Sequence, residues 1–486
     1  MGFKTKHAMV VPVCLQGHFL GIYRFAVDLA KRGVTITFVG LAREIALLKT
    51  FEELGGLDFN LVSYEDYGSE TFVSIGEPML DILDFVPKSK AHFQPILDKL
   101  MADKKAGLAG PTCLISDRYL SIWAVDAAKE LGISYYQFWS CGVTFVRTLQ
   151  AQVPLYDDGT LTIKTGPGGS PYLEPFEGSV HFPGLPPLEY REMVKPPPED
   201  FKHIGAATDV MIGRNVDRAD ALIVNSFYEL EAPQVDALRR SWKESFLPKI
   251  PKLYLVGPLS KVATFKDRSL ANLKSSGADS LQWLDGRAPL SVVYVCVGTI
   301  ARLSPGQVEE LARALEASEQ SFLWVVARGA AEAIPPGFAE RTKDRGLMVG
   351  WVPQLQILQH PAIGGFVTHC GWNSIIESIT AGVPMACWPQ LTNDQPLNCR
   401  HLVDVLKIAV EVRNDDTLTI GATWEGTPLS RRNYLDLEKA VRLLLSHEGK
   451  ALRARVQELK KEAAAAVGDG GVSKQALDDV VESIPY

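Results

Sequence analysis

Residues 368–374, Thr-His-Cys-Gly-Trp-Asn-Ser, gather a histidine, a tryptophan, an asparagine and a serine between two apolar segments. The preceding "GGFVTH" has the composition of a strand. The following "NSIIESITAG" has apolar residues at helical spacing, with Gly382 placed to stop the helix and Pro384 just beyond. The polar cluster is therefore a strand-to-helix turn, with Asn373 and Ser374 at the helix N-terminus. Such an end presents unpaired N–H groups and about half a positive charge, which favours a phosphate or another anion. The side chains of His369, Asn373 and Ser374 add donors of their own. A reading without a ligand also fits, because Ser374-x-x-Glu377 matches a capping box.

The elements that position this turn follow a repeating grammar. Residues 9–13, "MVVPV", are an apolar run, followed by the polar loop "CLQGH", a helical face from Leu20 to Arg32 that ends at Gly33, and the β-branched "VTITFVG". The same order returns at "TCLIS", a helix over 121–131 and "ISYYQFW", and again at "SVVYVCVG", a helix over 304–318 opened by Ser304-Pro305, and "SFLWVVAR". The apolar runs "GLMVGWV", "GGFVTH", "VPMACW" and "IAVEV" come next. Alternation in both halves predicts an α/β chain of two Rossmann-like, doubly wound domains whose strand C-termini face a shared cleft. The expected boundaries are 1–248 for an N-terminal domain, 249–460 for a C-terminal domain, and 461–486 for a helix packing back on the first domain. The Pro-rich segment 172–198 reads as an excursion within domain one, and 248–260 as the linker.

The 486 residues carry a net charge of -7 with pI near 5.8 and no basic cluster, which excludes nucleic-acid binding as a main function. No apolar window reaches the length of a membrane span, and the N-terminus has no signal-peptide pattern. Seven scattered cysteines, with no CxxC or His/Cys spacing, read as buried thiols of a reducing compartment and not as metal ligands. A cytoplasmic protein without a membrane span is the expectation, acting as a monomer.

A longer stretch is more specific than the turn alone. Residues 351–395, "WVPQLQILQHPAIGGFVTHCGWNSIIESITAGVPMACWPQLTNDQ", resemble the signature box of plant UDP-dependent glycosyltransferases of secondary metabolism: W-x-P-Q, H-P, H-C-G-W-N-S, the following Glu, G-V-P and the closing D-Q all match. "QGH" near the start and "VGP" in the linker fit as well. The resemblance implies the GT-B fold and an inverting hexosyl transfer from UDP-glucose to a hydroxyl, with no cofactor and no metal. It implies that Trp351 stacks on uracil, with Val352 in the same site, and that Gln354 and Glu377 bind the ribose. His369, Asn373, Ser374 and Thr299 would hold the diphosphate, while Trp372, Asp394, Gln395 and Ser140 would reach the sugar. Between Pro389 and Asp394 the chain has "QLTN", one residue more than the family usual, so Asn393 occupies the counted position of the aspartate; alignment by the D-Q pair keeps the carboxylate.

Removing the acceptor's proton needs a base near neutral pKa, and His18, between the first strand and its helix, suits this. Asp117, closing "TCLIS", lies in a segment similar to the family's aspartate segment, and would fix the imidazole tautomer and stabilise the imidazolium. Read without the family, His18 is a strand-end structural residue and Asp117 caps the helix near Ser121. Gly21 stands where the family usually has proline. A small apolar phenolic or terpenoid acceptor, such as a flavonoid, is expected against Phe19, Phe145, the 139–150 turn and the excursion around 183–205. Two rivals remain at this level: a non-catalytic nucleotide-sugar-binding protein, and a dinucleotide-dependent oxidoreductase. The second lacks a G-x-G-x-x-G after the first strand, which reads "VPVCLQGHFLG".

Overall fold

The computed structural model describes residues 5–13, 16–50, 52–64, 80–108, 110–165, 171–174, 179–180, 188–189, 205–245, 247–259, 274–298, 303–327, 329–390, 394–412 and 431–486. The first half supplies β1 (His7–Val11), β2 (Thr35–Leu41), β3 (Phe59–Tyr64), β4 (Cys113–Asp117) and β5 (Ser134–Trp139). Two short antiparallel pairs follow, β6 (Ile163–Thr165) with β7 (Pro171–Leu173) and β8 (Ser179–Val180) with β9 (Leu188–Glu189); β10 (Ala221–Val224) and β11 (Lys252–Leu255) close the series. Seven of these strands form one parallel sheet, in the order β11-β10-β5-β4-β1-β2-β3.

The second half supplies β12 (Val292–Cys296), β13 (Ser321–Val325), β14 (Gly346–Val349), β15 (Ile363–Thr368), β16 (Met385–Cys387) and β17 (Ala409–Glu411). They form a six-stranded parallel sheet ordered β14-β13-β12-β15-β16-β17. Parallel strands joined by helical crossovers are covered on both faces, so their sequences are apolar throughout and do not alternate. Accordingly β4 and β15 are buried at every position.

Strand order reverses between β1 and β4 in the first sheet and between β12 and β15 in the second. At such switch points the connections diverge to opposite faces and leave a crevice beyond the strand C-termini. His18 follows β1 and Asp117 ends β4; Gly298 follows β12 and His369 follows β15. Every one of these residues therefore borders a crevice.

Two expectations shift. The boundary placed after 248 falls ahead of β11, which still belongs to the first sheet, so "KLYL" is an edge strand and not linker. The 139–150 segment is no turn beyond its first residues, because a helix runs over Val143–Asp157. The last helix, Val472–Ser483, lies on the first domain: Lys6 Nζ donates to the Val481 carbonyl (2.6 Å), Tyr136 Oη to that of Ser483 (2.7 Å), and Arg32 pairs with Asp478 (2.7 Å). Leu477, Val480 and Ile484 close the core on that side.

Candidate active site

The helix after β15 spans Trp372–Ala381 and stops at Gly382 in the left-handed conformation. Its N-cap is Gly371, and no side chain caps this end. The capping-box reading of Ser374 and Glu377 is thereby corrected. Both residues lie inside the helix, and each accepts from Gln354 Nε2, Ser374 Oγ at 3.0 Å and Glu377 Oε2 at 2.9 Å. Gln354 Oε1 in turn accepts from Tyr294 Oη at 3.3 Å. Burial raises the Glu377 carboxyl pKa, with Gln354 and Arg24 pulling it back. Val352 is buried and Trp351 half-buried just ahead of Gln354.

His369 sits between two glycines. A Cβ at Gly371 would come 2.4 Å from its Nε2, and one at Gly298 would come 2.6 Å from it. Gly298 also has φ +84, a conformation that other residues resist, so only glycine fits there. Burial pushes the His369 pKa down to about 4, offset in part by the backbone of Cys296, and its Nδ1 is buried without a partner. The ring is thus neutral near pH 7 and offers the site a donor, not a charge. Thr299, the expected phosphate hydroxyl, lies outside the described residues, as do Asn393 and residues 183–187 and 190–204 of the excursion.

Asn373 ties the two halves together: its Nδ2 donates to the Gly17 carbonyl at 3.0 Å. Gly17 precedes His18 in the helix Gln16–Ala30, which continues through Gly21 without interruption. His18 Nδ1 is 2.7 Å from Asp117 Oδ2, and Asp117 Oδ1 accepts from the Tyr119 amide at 3.0 Å. Asp117 is fully buried while the His18 side chain keeps 18% of its surface exposed. A carboxylate accepts only, so Nδ1 carries the proton and Nε2 keeps its lone pair. Asp117 does not cap the helix at Ser121, whose N-cap is Leu120 without a side-chain bond; through the Tyr119 amide it caps the preceding turn Arg118–Leu120 instead. Its two oxygens thus serve the turn and the imidazole separately.

The expected sugar residues are brought near the same place in different states. Trp372 is buried, and its Nε1 donates to the Asn225 carbonyl across the domain boundary at 2.7 Å. Asp394 Oδ2 accepts from Asn398 Nδ2 at 3.0 Å; burial raises its pKa, with Arg118 the main opposing influence. Gln395 Oε1 accepts from the Gln390 backbone amide at 2.9 Å. Ser140 Oγ is buried without a partner. Phe19 and Phe145 are corrections to the acceptor wall. Phe19 packs edge-on to Phe38 (5.7 Å) and parallel to Tyr23 (6.5 Å), and Phe145 is buried under Arg118. Their apolar rings find more contact in the core than at a cleft.

Three features escape sequence reasoning. Glu231 is fully buried and accepts from the amides of Val143 and Thr144 and from the hydroxyls of Thr144 and Ser226, so it anchors the start of helix Val143–Asp157. Arg118 is buried, stacks on Tyr119 (4.0 Å) and Phe145 (4.9 Å), and leaves Nε and Nη1 without partners. Close to it, Asp209 has its pKa raised by burial to about 6. Finally, Cys370, Cys387 and Cys399 are buried with their sulfurs within 4.8 Å of one another, the one group among the described residues with metal-ligand atoms in reach of each other. Their sequence separations of 17 and 12 match no ligand spacing, which is why the sequence hides them.

Comparison with known proteins accounts for this geometry. The family described as UDP-glucoronosyl and UDP-glucosyl transferase matches residues 271–419. Over its length the chain is 32% identical to linamarin synthase 1 of Manihot esculenta, covering 99% of this chain and 97% of that one. Anthocyanidin 3-O-glucosyltransferase 6 of the same plant is also 32% identical, over 83% of this chain and 98% of that one. Among solved structures, Phytolacca americana UGT2 complexed with UDP-2fluoro-glucose and pterostilbene superposes with a TM-score of 0.77 at 26% identity, covering 98% of this chain and 99% of that one. No helix among the described residues is long and apolar enough to cross a membrane.

Proposed function

The chain belongs to the plant UDP-dependent glycosyltransferases, enzymes of the GT-B fold, and on that premise we propose that it transfers glucose from UDP-glucose to a hydroxyl of a small apolar acceptor, phenolic or terpenoid, with inversion at the anomeric carbon. The observation that carries this reading is the hydrogen bond from Asn373 to Gly17, which puts the uncapped helix end beside the His18–Asp117 pair.

In the reaction, His18 Nε2 takes the acceptor's hydroxyl proton as its oxygen attacks the anomeric carbon from the face opposite UDP. The bond to the diphosphate breaks, and Asp117 stabilises the imidazolium through Nδ1. Charge growing on the leaving diphosphate meets the amides of residues 372–374 and the N–H of neutral His369, a preorganised grip that calls for no resident metal. Gln354 and Glu377 hold the ribose hydroxyls, Trp351 and Val352 the uracil, and Asp394 with Gln395 the glucose. Ser140 and Trp372 line the sugar side. The enzyme acts in the cytoplasm as a monomer. The supporting relative that bears on the acceptor is UGT2, whose partner molecule is pterostilbene, a phenol.

The test incubates the protein with UDP-glucose and pooled phenols and terpenoid alcohols, reading mass gains of one hexose. His18→Ala is expected to lose at least 100-fold in kcat with its affinity for UDP unchanged, in keeping with the 10²–10⁴-fold that a general base supplies. Full turnover in His18→Ala would overturn the assignment.

A further inference from the structure

The first domain has a second cavity, of about 1000 Å³, at the other end of its sheet. Its lining comes from residues just before β5 and β10 (Ile133, Ala219, Asp220), from the end of helix Ser121–Leu131, and from Leu247 and Pro248 ahead of β11. All of these mark strand N-termini, whereas His18, Asp117 and Ser140 follow strand C-termini. The six residues of β5 separate the two ends by about 20 Å at 3.3 Å per residue. That distance holds for this end of the cavity; Arg147 lies one turn into the helix that begins at Val143, after β5, and the cavity shares no lining residue with the reaction cleft.

Its walls are apolar on one side, through Val125, Ala128, Ala151, Val153, Pro154 and Leu155. The other side is cationic, and most of that charge is already matched: Arg214 pairs with Asp157, Arg218 with Asp126, and Lys249 with Asp220. Among the described residues exposed Lys129 also forms no ion pair, and the buried exception is Arg147. It is 6% exposed, its Nε is buried without a hydrogen-bond partner, and Nη1 reaches only the neutral Gln150 Oε1 at 3.2 Å. The nearby carboxylate, Asp217, accepts instead from Gln150 and from Trp242 Nε1, both through Oδ1. A buried guanidinium left short of acceptors is costly, and a carboxylate or sulfonate that bonds its terminal nitrogens adds an acceptor that the protein does not supply. A volume of this size accommodates a drug-sized molecule.

We propose that this cavity is a second small-molecule site, which takes an amphiphilic monoanion with its acidic head on Arg147 and its apolar body against Ala151, Val153 and Leu155. The site is independent of the glucose-transfer reading, since it uses none of the cleft residues. Fatty carboxylates and aromatic sulfonates share the required chemistry, and the assay distinguishes them.

The experiment titrates the folded, full-length protein with 1-anilinonaphthalene-8-sulfonate by fluorescence, with and without saturating UDP, then competes with decanoate. Binding at one site per chain is expected, undisturbed by UDP, at least tenfold weaker in Arg147→Gln and partly restored in Arg147→Lys. Displacement by decanoate assigns both ligand types to the site; its failure restricts the ligand to aromatic anions. Ala151→Trp, which fills the apolar half, is expected to abolish the saturable component, and it serves as the reading if Arg147→Gln lowers the melting temperature. Displacement of the probe by UDP, or wild-type affinity in both Arg147→Gln and Ala151→Trp, overturns the proposal.

Discussion

Asp117→Asn tests the dyad more sharply than removal of the histidine, because the surrounding hydrogen bonds dictate how the amide must sit. In the wild type, Oδ1 accepts from the Tyr119 amide (3.0 Å) and Oδ2 faces His18 Nδ1 (2.7 Å). Asparagine has one acceptor and one donor group. The Tyr119 N–H demands the oxygen, so the NH₂ turns to Nδ1, and the imidazole must place its own proton on Nε2. That tautomer has no lone pair to take the acceptor's proton. Restoring the productive tautomer means flipping the amide and setting two donors against each other at Tyr119, which costs about 1–3 kcal/mol as an unsatisfied buried bond. Loss of the charge-assisted bond to the imidazolium adds about 1.5–3 kcal/mol. Together, about 3–6 kcal/mol at 1.36 kcal/mol per decade predicts a fall in kcat of roughly 10²- to 10⁴-fold. The assay is initial-rate hexose transfer to the best acceptor of the panel, with UDP affinity by calorimetry and a thermal melt as controls. A kcat within threefold of wild type, in a folded protein that binds UDP normally, would refute the tautomer argument.

Three further outcomes follow from the same geometry. His369 has a folded pKa near 4 against 6.5 for an unperturbed histidine, so the unfolded chain takes up a proton that the folded site refuses. Stability is then expected to fall by on the order of 3 kcal/mol as pH drops from 6.5 to 4, and His369→Gln flattens that slope in chemical-denaturation curves; an unaltered slope contradicts it. Gly298→Ala forces a side chain into left-handed backbone and against the imidazole, and is expected to weaken UDP binding at least tenfold by calorimetry, with a lower melting temperature; unchanged affinity counts against the close-packed turn. Trp372→Phe removes the 2.7 Å bond to the Asn225 carbonyl, leaving that buried acceptor unpaired, and is expected to cost about 1–3 kcal/mol in a denaturant titration. An unaltered midpoint would mean that water replaces the indole.

The legible parts of the fold are those whose burial is complete. β12 and β15 are continuous apolar runs between turn residues, and a strand covered on both faces has little other composition available. The edges were harder to read. β11, "KLYL", sits among prolines, and β3, "FNLVSY", carries an asparagine and a serine, because an edge strand is only partly covered and tolerates polar residues. The site divides in the same way. The signature turn is local, so its residues are adjacent in sequence and announce themselves. Glu231, Asn225 and Arg118 act by contacts between segments far apart along the chain, such as Asn225 with Trp372, and nothing in the neighbourhood of either residue encodes the meeting. The cavity at Arg147 is equally silent, since its walls come from several separate segments.

Arg118 bears on the sugar role proposed for the buried Asp394. Burial alone pushes the Asp394 and Asp209 carboxyls toward neutrality, and in both the main opposing influence is the Arg118 guanidinium. A protonated Asp394 would be a donor and a weak acceptor, poorly matched to two vicinal hydroxyls, whereas the ionised form accepts from both. Neutral His369 supplies no countercharge, and Asn373 is committed to Gly17, so the main cationic influence on Asp394 comes from the other domain, one residue after Asp117. The influence that opposes burial at Asp394 therefore reaches it across the domain boundary. In the proposed reaction the domain contact that brings His18 to the diphosphate turn also sets Arg118 against the Asp394 carboxylate, where it offsets part of what burial does to that group.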